Sequence, residues 1–317
     1  VPRSPKGEVV DLMLSDLQFA ADNLPVVWAG PQAGRATRGA ALALKARVAL
    51  YNGMNTIAIE AATEVMDLQA YSLYPDYEEL FQYAGVRNSE VIFDVPYLQG
   101  VRTHGHPQNA GSRMLGSFSN IAPSQFMVDA YLASDGLPID QSPLYDPGNP
   151  FENRDPRLDA SIIRPQSNFG GFVFETNPDS VQTWQVDGDG AHLNRIANLD
   201  ATNPFATFTG YLWRKYNPVQ DYPEFRRVSQ LNFMLIRYAE VLLTYVEASI
   251  EENIIDQTVL DALNSVRARA YGVNVGQTAD YPAITTMDQT QLRSILRNER
   301  KVELAYEGFR LFDIRRW

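Results

Sequence analysis

Apolar residues recur three and four positions apart at both ends of this chain, and that spacing predicts helices. Val10, Met13, Leu14, Leu17, Ala21 and Leu24 fall on one face of a helix over Glu8–Leu24, which Pro25 ends. A second helix starts at Thr37, a suitable N-cap, and runs through an alanine-rich stretch to Gly53. A third covers Thr56 to Leu68. Near the C-terminus, Asn232–Ile250 reads as one buried helix, because only Arg237, Glu240, Thr244 and Glu247 form a polar strip. Thr258–Tyr271 is its predicted partner, stopped by Gly272. The first helix pair, Thr37–Ala70, is 34 residues long, the length of a tetratricopeptide repeat. The expected fold class is therefore mostly α, with tetratricopeptide-like helix pairs as a scaffold.

The pattern changes between Pro96 and Gln230. This stretch holds most of the chain's 19 prolines and more than half of its 20 glycines. Turn dipeptides such as Asp135-Gly136, Pro147-Gly148 and Asp187-Gly188 punctuate it. One helix is expected over Pro123–Ala133, and short strands at Glu90–Pro96, Leu158–Arg164, Gly171–Glu175 and Tyr211–Tyr216. The predicted organisation is a single domain: helical repeats over 1–95, a loop-rich ligand-binding insertion over 96–230, and helical repeats with a terminal segment over 231–317.

The terminal segment, Leu292–Trp317, carries an anomaly. Leu292, Ile295, Leu296, Val302 and Tyr306 share one helical face, and Glu299 and Glu303 lie within that apolar stripe. Buried carboxylates need partners. Arg300, Arg310, Arg315 and Arg316 are candidates, so a structural clamp built on Glu299, Glu303, Arg300 and Arg310 is one reading. A pair of carboxylates one turn apart also suits acid–base work, and a glycoside hydrolase using Glu299 and Glu303 is the other.

Composition narrows the options. Hydrophobic residues make up 45% and charged residues 21%, as in ordinary globular proteins. The net charge is −11, from 27 basic and 38 acidic residues, which argues against nucleic acid as a partner. The absence of cysteine excludes thiol catalysis, disulfides and Cys-ligated zinc. No run of 18 apolar residues is present to span a membrane as a helix. The chain begins at Val1 with no visible signal peptide, which reads as a fragment or a processed chain.

The nucleophile-elbow, dinucleotide, phosphate-loop and H-E-x-x-H motifs are missing, and no cofactor is implied. His104 and His106 in a Gly/Pro turn, with His192 alone, lack a convincingly spaced third metal ligand. Asp187-Gly-Asp189-Gly opens like a calcium loop but lacks the closing glutamate, so an acidic turn is expected. Aromatics are more suggestive. Phe169, Phe172 and Phe174 surround Gly170-Gly171, Trp184 sits among glutamine and threonine, and Tyr97 opens a long loop. Aromatic faces beside amides and hydroxyls suit sugar rings.

A set of ordered motifs then points to one family. RNERKVELAYEGFRLFDIRRW resembles the closing signature of the SusD/RagB family. GRATRGAALALKARVALYNG, FMVDAYLASDGLPI, ENRDPRLDASIIRP, TGYLWRKY, IRYAEVLLTYVEA and ALNSVRARAYG resemble its successive motifs in the same order, so the likeness covers nearly the whole chain. The resemblance implies helix pairs carrying a loop-rich binding region, and a role in binding rather than catalysis. It implies a lipoprotein on the outer face of the outer membrane, partnered with a SusC-like TonB-dependent transporter. The implied ligand is an oligosaccharide, or a peptide in some members. The signal peptide, lipidated cysteine and first repeat usual in the family are not seen in this chain. A generic repeat scaffold for protein partners is a further alternative.

The resemblance does not fix individual contacts. Position in the loops nominates Tyr97, Gln108, Asn109, Arg113, Phe172 and Trp184 as ligand-binding residues. Gln108 and Asn109 would hydrogen-bond hydroxyls, and Arg113 would bridge two of them.

Overall fold

A computed structural model describes residues 3–317. In chain order the helices are α1 (Lys6–Asn23), α2 (Arg38–Tyr51), α3 (Asn55–Asp67), α4 (His106–Ala110), α5 (Gln125–Ala130), α6 (Arg157–Ser161), α7 (Leu199–Thr202), α8 (Tyr238–Glu251), α9 (Gln257–Ala270), α10 (Gln289–Glu303) and α11 (Arg310–Arg316). The strands are β1 (Val91–Val95), β2 (Ile162–Ile163), β3 (Asn168–Phe169), β4 (Phe172–Val173), β5 (Gln182–Val186), β6 (His192–Ala197), β7 (Leu212–Trp213) and β8 (Phe233–Arg237). The chain divides into two compact units. A helical unit comprises the chain up to Asp76, Arg87–Val95 and Phe233–Trp317, and a loop-rich unit comprises Tyr77–Val86 and Pro96–Asn232.

The helical unit is built from the predicted pairs α2–α3 and α8–α9. The Thr37 hydroxyl accepts from the Ala40 N–H at 3.2 Å and caps α2. Ala40, Ala41, Ala43 and Ala46 are buried among Ala21, Ala61, Ala62 and Val65, so small side chains let the helices come close. A second core gathers Leu242, Leu243, Val246, Val259, Leu263, Val266, Leu292 and Leu296. Among the described residues no helix is long and apolar enough to cross a membrane.

One helix expectation needs correction. The run Asn232–Ile250 is not a single helix, because Phe233–Arg237 pairs antiparallel with β1, from Val95↔Phe233 to Val91↔Arg237. Arg237 is extended (φ −133°, ψ 160°), and α8 starts only after it. A continuous apolar run carries no period that separates a buried strand from a buried helix, so local pattern could not divide the two.

The terminal segment breaks similarly. Helix α10 stops at Glu303 and Tyr306 adopts φ +65°, so Tyr306 is not on the helical stripe. The carboxylates of the stripe are held by arginines, although not by the set expected. Glu303, fully buried, accepts from Arg237 Nη1 at 2.7 Å and Arg269 Nη2 at 2.5 Å. The same two guanidiniums reach Glu90 at 2.7 and 2.6 Å, and Arg237 also donates to both Glu307 oxygens. Glu299 lies 3.4 Å from Arg267. Arg300 pairs with Glu247 and Asp313 at 3.2 and 3.1 Å, while Arg316 joins Glu247 at 2.5 Å. Arg310 is exposed over the Trp317 ring and takes no part in holding Glu299 or Glu303. Arg310 opens α11, beyond the positive-φ residues Tyr306 and Gly308, so the helical spacing of α10 does not carry through to it.

In the loop-rich unit the regular elements are shorter than expected. The predicted helix over Pro123–Ala133 contracts to α5, and Leu158–Arg164 is the end of α6 followed by β2. Strands β2 and β7 share two residue pairs, Ile162↔Trp213 and Ile163↔Leu212, and β3-β4-β5-β6 form an antiparallel sheet. The prolines and glycines limit each strand to a few residues. The unit's core holds Ile163, Phe169, Phe172, Phe174 and Leu212.

Candidate functional site

The residues after Tyr97 fold back on themselves. Leu98 and Arg102 exchange backbone hydrogen bonds at 2.8 and 2.9 Å around Gly100, whose φ of +81° suits the turn. The return leg then pairs with the segment before β8: His104 and Ser229 exchange backbone bonds at 3.0 and 2.9 Å. The His104 ring fixes this register. Its Nδ1 accepts from the His106 N–H at 3.2 Å, which leaves Nε2 to donate to the Leu231 carbonyl at 2.9 Å. Burial lowers the pKa of His104 and that of His106, the latter to about 4, so both rings are neutral near pH 7.

This pairing brings distant residues together. The Gln99 N–H donates to Gln230 Oε1 at 3.3 Å, and the Gln230 N–H donates to the Tyr83 hydroxyl at 3.3 Å. Tyr83 in turn donates to Asp221 Oδ1 at 2.8 Å, and burial raises the Tyr83 pKa so that the proton stays on the phenol. Asp221 ends the 3₁₀ turn Val219–Asp221, and its carbonyl accepts from the Phe225 N–H at 2.8 Å, which carries Phe225 and Val228 to the same place. The result is a cavity of about 200 Å³ lined by Tyr83, Gln99, Gln220, Asp221, Phe225, Val228 and Gln230.

Asp221 is the unusual member. It is only 2% exposed, and its Oδ2 has no hydrogen-bond partner. A buried acceptor left open is costly and calls for an explanation. The nearest arginines in sequence do not neutralise it: Arg226 and Arg227 both donate to Gln108 Oε1, at 2.9 and 3.1 Å. Three glutamine side chains and two aromatic rings, with the Asp221 carboxylate buried in the wall, make a pocket for a ligand rich in hydroxyls and C–H faces.

None of the residues nominated from sequence is among those that line this cavity. Tyr97 is half-buried, its ring edge-on to His104 (4.6 Å, 79°) and under the Arg102 guanidinium. Gln108 is a correction: it is buried, anchors Arg226 and Arg227, and donates to Gly116 O at 3.2 Å, so it is part of the frame. Asn109 donates to Gly105 O at 3.0 Å, and Arg113 donates to Ser117 O and Asn203 Oδ1 at 2.9 and 3.3 Å. Both are committed to the protein. Phe172 is also corrected, because it is buried in the core with Phe169 and Phe174. Trp184 lies on the β5–β6 hairpin, stacked on His192 at 4.8 Å with Arg195 at 5.0 Å over its ring. Its indole therefore already has partners. Sequence reasoning missed Tyr83, Gln220, Asp221, Phe225 and Gln230. The run VQDYPEF, an acid between glutamine and aromatics in a proline-bounded turn, was the available signal.

The remaining candidate chemistry is structural. The His104 and His106 ring contacts organise the loop, and among the described residues no three His, Asp or Glu side chains converge as for a metal ion. Asp187 Oδ1 accepts from the Asp189 and Ala191 N–H groups, closing an acidic turn. Glu299 and Glu303 are at 1% and 0% exposure and are bound to guanidiniums.

Known proteins share this architecture. A SusD-like carbohydrate binding protein of Bacteroides fragilis has 31% identity and a TM-score of 0.84 over all of this chain and 59% of its own. A second SusD-like protein of that organism has 29% identity and a TM-score of 0.75, over 61% of its length. SusD-like protein P2 of Formosa agariphila is 26% identical over 328 residues. The chain spans 57% of the length of that relative. The model of the SusD family itself matches residues 89–317, from the Glu90 clamp through the cavity to the terminal segment, and the chain belongs to that family.

Proposed function

We propose that this chain binds an oligosaccharide in its loop-rich unit, without turning it over, and serves in delivery of that glycan to a SusC-like TonB-dependent transporter at the outer face of the outer membrane. The observation that carries the binding step is the cavity around Asp221, where glutamine side chains and aromatic rings meet over a buried carboxylate. Vicinal hydroxyls pair with glutamine amides and carboxylates, while the C–H face of a pyranose packs on Tyr83 or Phe225. The printed description of the B. fragilis neighbour as a carbohydrate binding protein supports the ligand class. The transporter partnership and the membrane location rest on family membership. Burial of Glu299 and Glu303 supports binding without hydrolysis.

Titration calorimetry against a panel of oligosaccharides and peptides tests the reading. A glycan should bind with no reducing sugar released, and Phe225→Ala or Gln230→Ala should weaken it roughly tenfold, the scale of a central contact in an interface. Binding of peptides alone would replace the glycan by a peptide ligand. Binding left unchanged by both variants would move the site elsewhere.

A further inference from the structure

We propose that the Asp221 cavity selects an uncharged sugar and rejects uronate and sulfated sugars at this position. The inference rests on the glycan reading above and adds the class of sugar. Its basis is the charge pattern of the lining. Asp221 is its charged residue, and Tyr83, Gln99, Gln220, Phe225, Val228 and Gln230 are all neutral. The carboxylate is 2% exposed in the cavity wall, one oxygen takes the Tyr83 hydroxyl at 2.8 Å, and Oδ2 is buried without a hydrogen-bond partner. Arg226 and Arg227, the cations nearest in sequence, are turned to Gln108.

An incoming carboxylate or sulfate ester meets a like charge with no cation in the lining to offset it. Two like charges a few ångströms apart repel, and more strongly at a protein surface than in bulk water. Discrimination thus arises from repulsion as much as from fit. Sites for acidic sugars use the opposite arrangement, with arginine forks toward the anion.

Matched pairs of oligomers test this: galactose, mannose and glucose oligomers against the corresponding uronate oligomers, titrated by calorimetry at low and moderate salt. The neutral member of the bound pair should win by about tenfold or more, with the gap narrowing as salt rises. Asp221→Asn should reduce the gap to a few-fold by improving uronate binding. Tyr83→Phe, which leaves the carboxylate charge in place, should keep the preference, and it serves if Asp221→Asn fails to fold. Neutral and acidic oligomers binding alike, or a uronate winning, would overturn the selectivity while leaving glycan binding intact. If none of the oligomers binds, both the selectivity and the glycan reading fall.

Discussion

Asp221 and Glu303 are both buried carboxylates, and their surroundings give them opposite tasks. Glu303 accepts from two guanidiniums that also hold Glu90, so its charge is matched inside the fold. Asp221 receives one phenol and keeps its second oxygen buried without a hydrogen-bond partner. Removing one partner of a matched buried network leaves the others uncompensated. Arg237→Leu strips a guanidinium from Glu90, Glu303 and Glu307 at once, and should cost about 3–5 kcal/mol. Arg310→Ala, at an exposed position over Trp317, should leave the urea midpoint where it is. Equilibrium urea unfolding of the two variants checks the contrast, and equal midpoints would remove Arg237 from the clamp. At this scale the sequence was half legible. Two acids on an apolar stripe announced a buried network, but Arg237 and Arg269 lie 66 and 34 positions away from Glu303 and no local spacing marks them.

Elements show the same division between local and remote information. Helices α1, α2, α3 and α9 are written in their own periodicity, with side-chain caps at α2 and α9, and they form where that pattern places them. Strand β8 is apolar up to Arg237 and is a strand through its pairing with β1. The site depends on the same kind of remote pairing, since the bond between His104 and Ser229 sets Gln99 next to Gln230. That loop should respond to acid. His106 has a folded pKa depressed to about 4 by burial and by the charge of His104, against about 6.5 when unfolded. A depressed histidine contributes stability that is present above about pH 6.5 and is lost as pH falls toward 4. Asp200 behaves oppositely. Burial raises it to about 6 in spite of hydrogen bonds from Ser112 and Arg113, so its contribution is full below about pH 3.9 and fades as pH rises through 6. Urea unfolding at pH 7, 5.5 and 4.5 should therefore show a shallower acid loss for His106→Gln and a steeper one for Asp200→Asn. The same slope in both variants and the parent would show that neither group titrates with folding.

At the scale of the whole molecule, the two units divide the work according to how each is held. The helical unit has long helices and continuous apolar cores, whereas the loop-rich unit relies on short strands, turns and side-chain bonds. Backbone hydrogen bonds in turns and two-residue ladders open more readily than those inside a packed helix. Amides of α8 and α9 should thus exchange slowest with deuterium, and those of the β5–β6 hairpin and the turn Val219–Asp221 faster. A bound glycan sharpens this into a test of location. Its contacts would order segments that are remote in sequence and adjacent in the cavity, around Tyr83, Gln99 and Asp221–Gln230. Hydrogen exchange with and without a saturating oligosaccharide should show added protection in those three segments together, with α10 and its clamp unchanged. Protection centred on the β5–β6 hairpin would instead move the binding surface to Trp184, where His192 and Arg195 would have to leave the indole before a sugar could take either place.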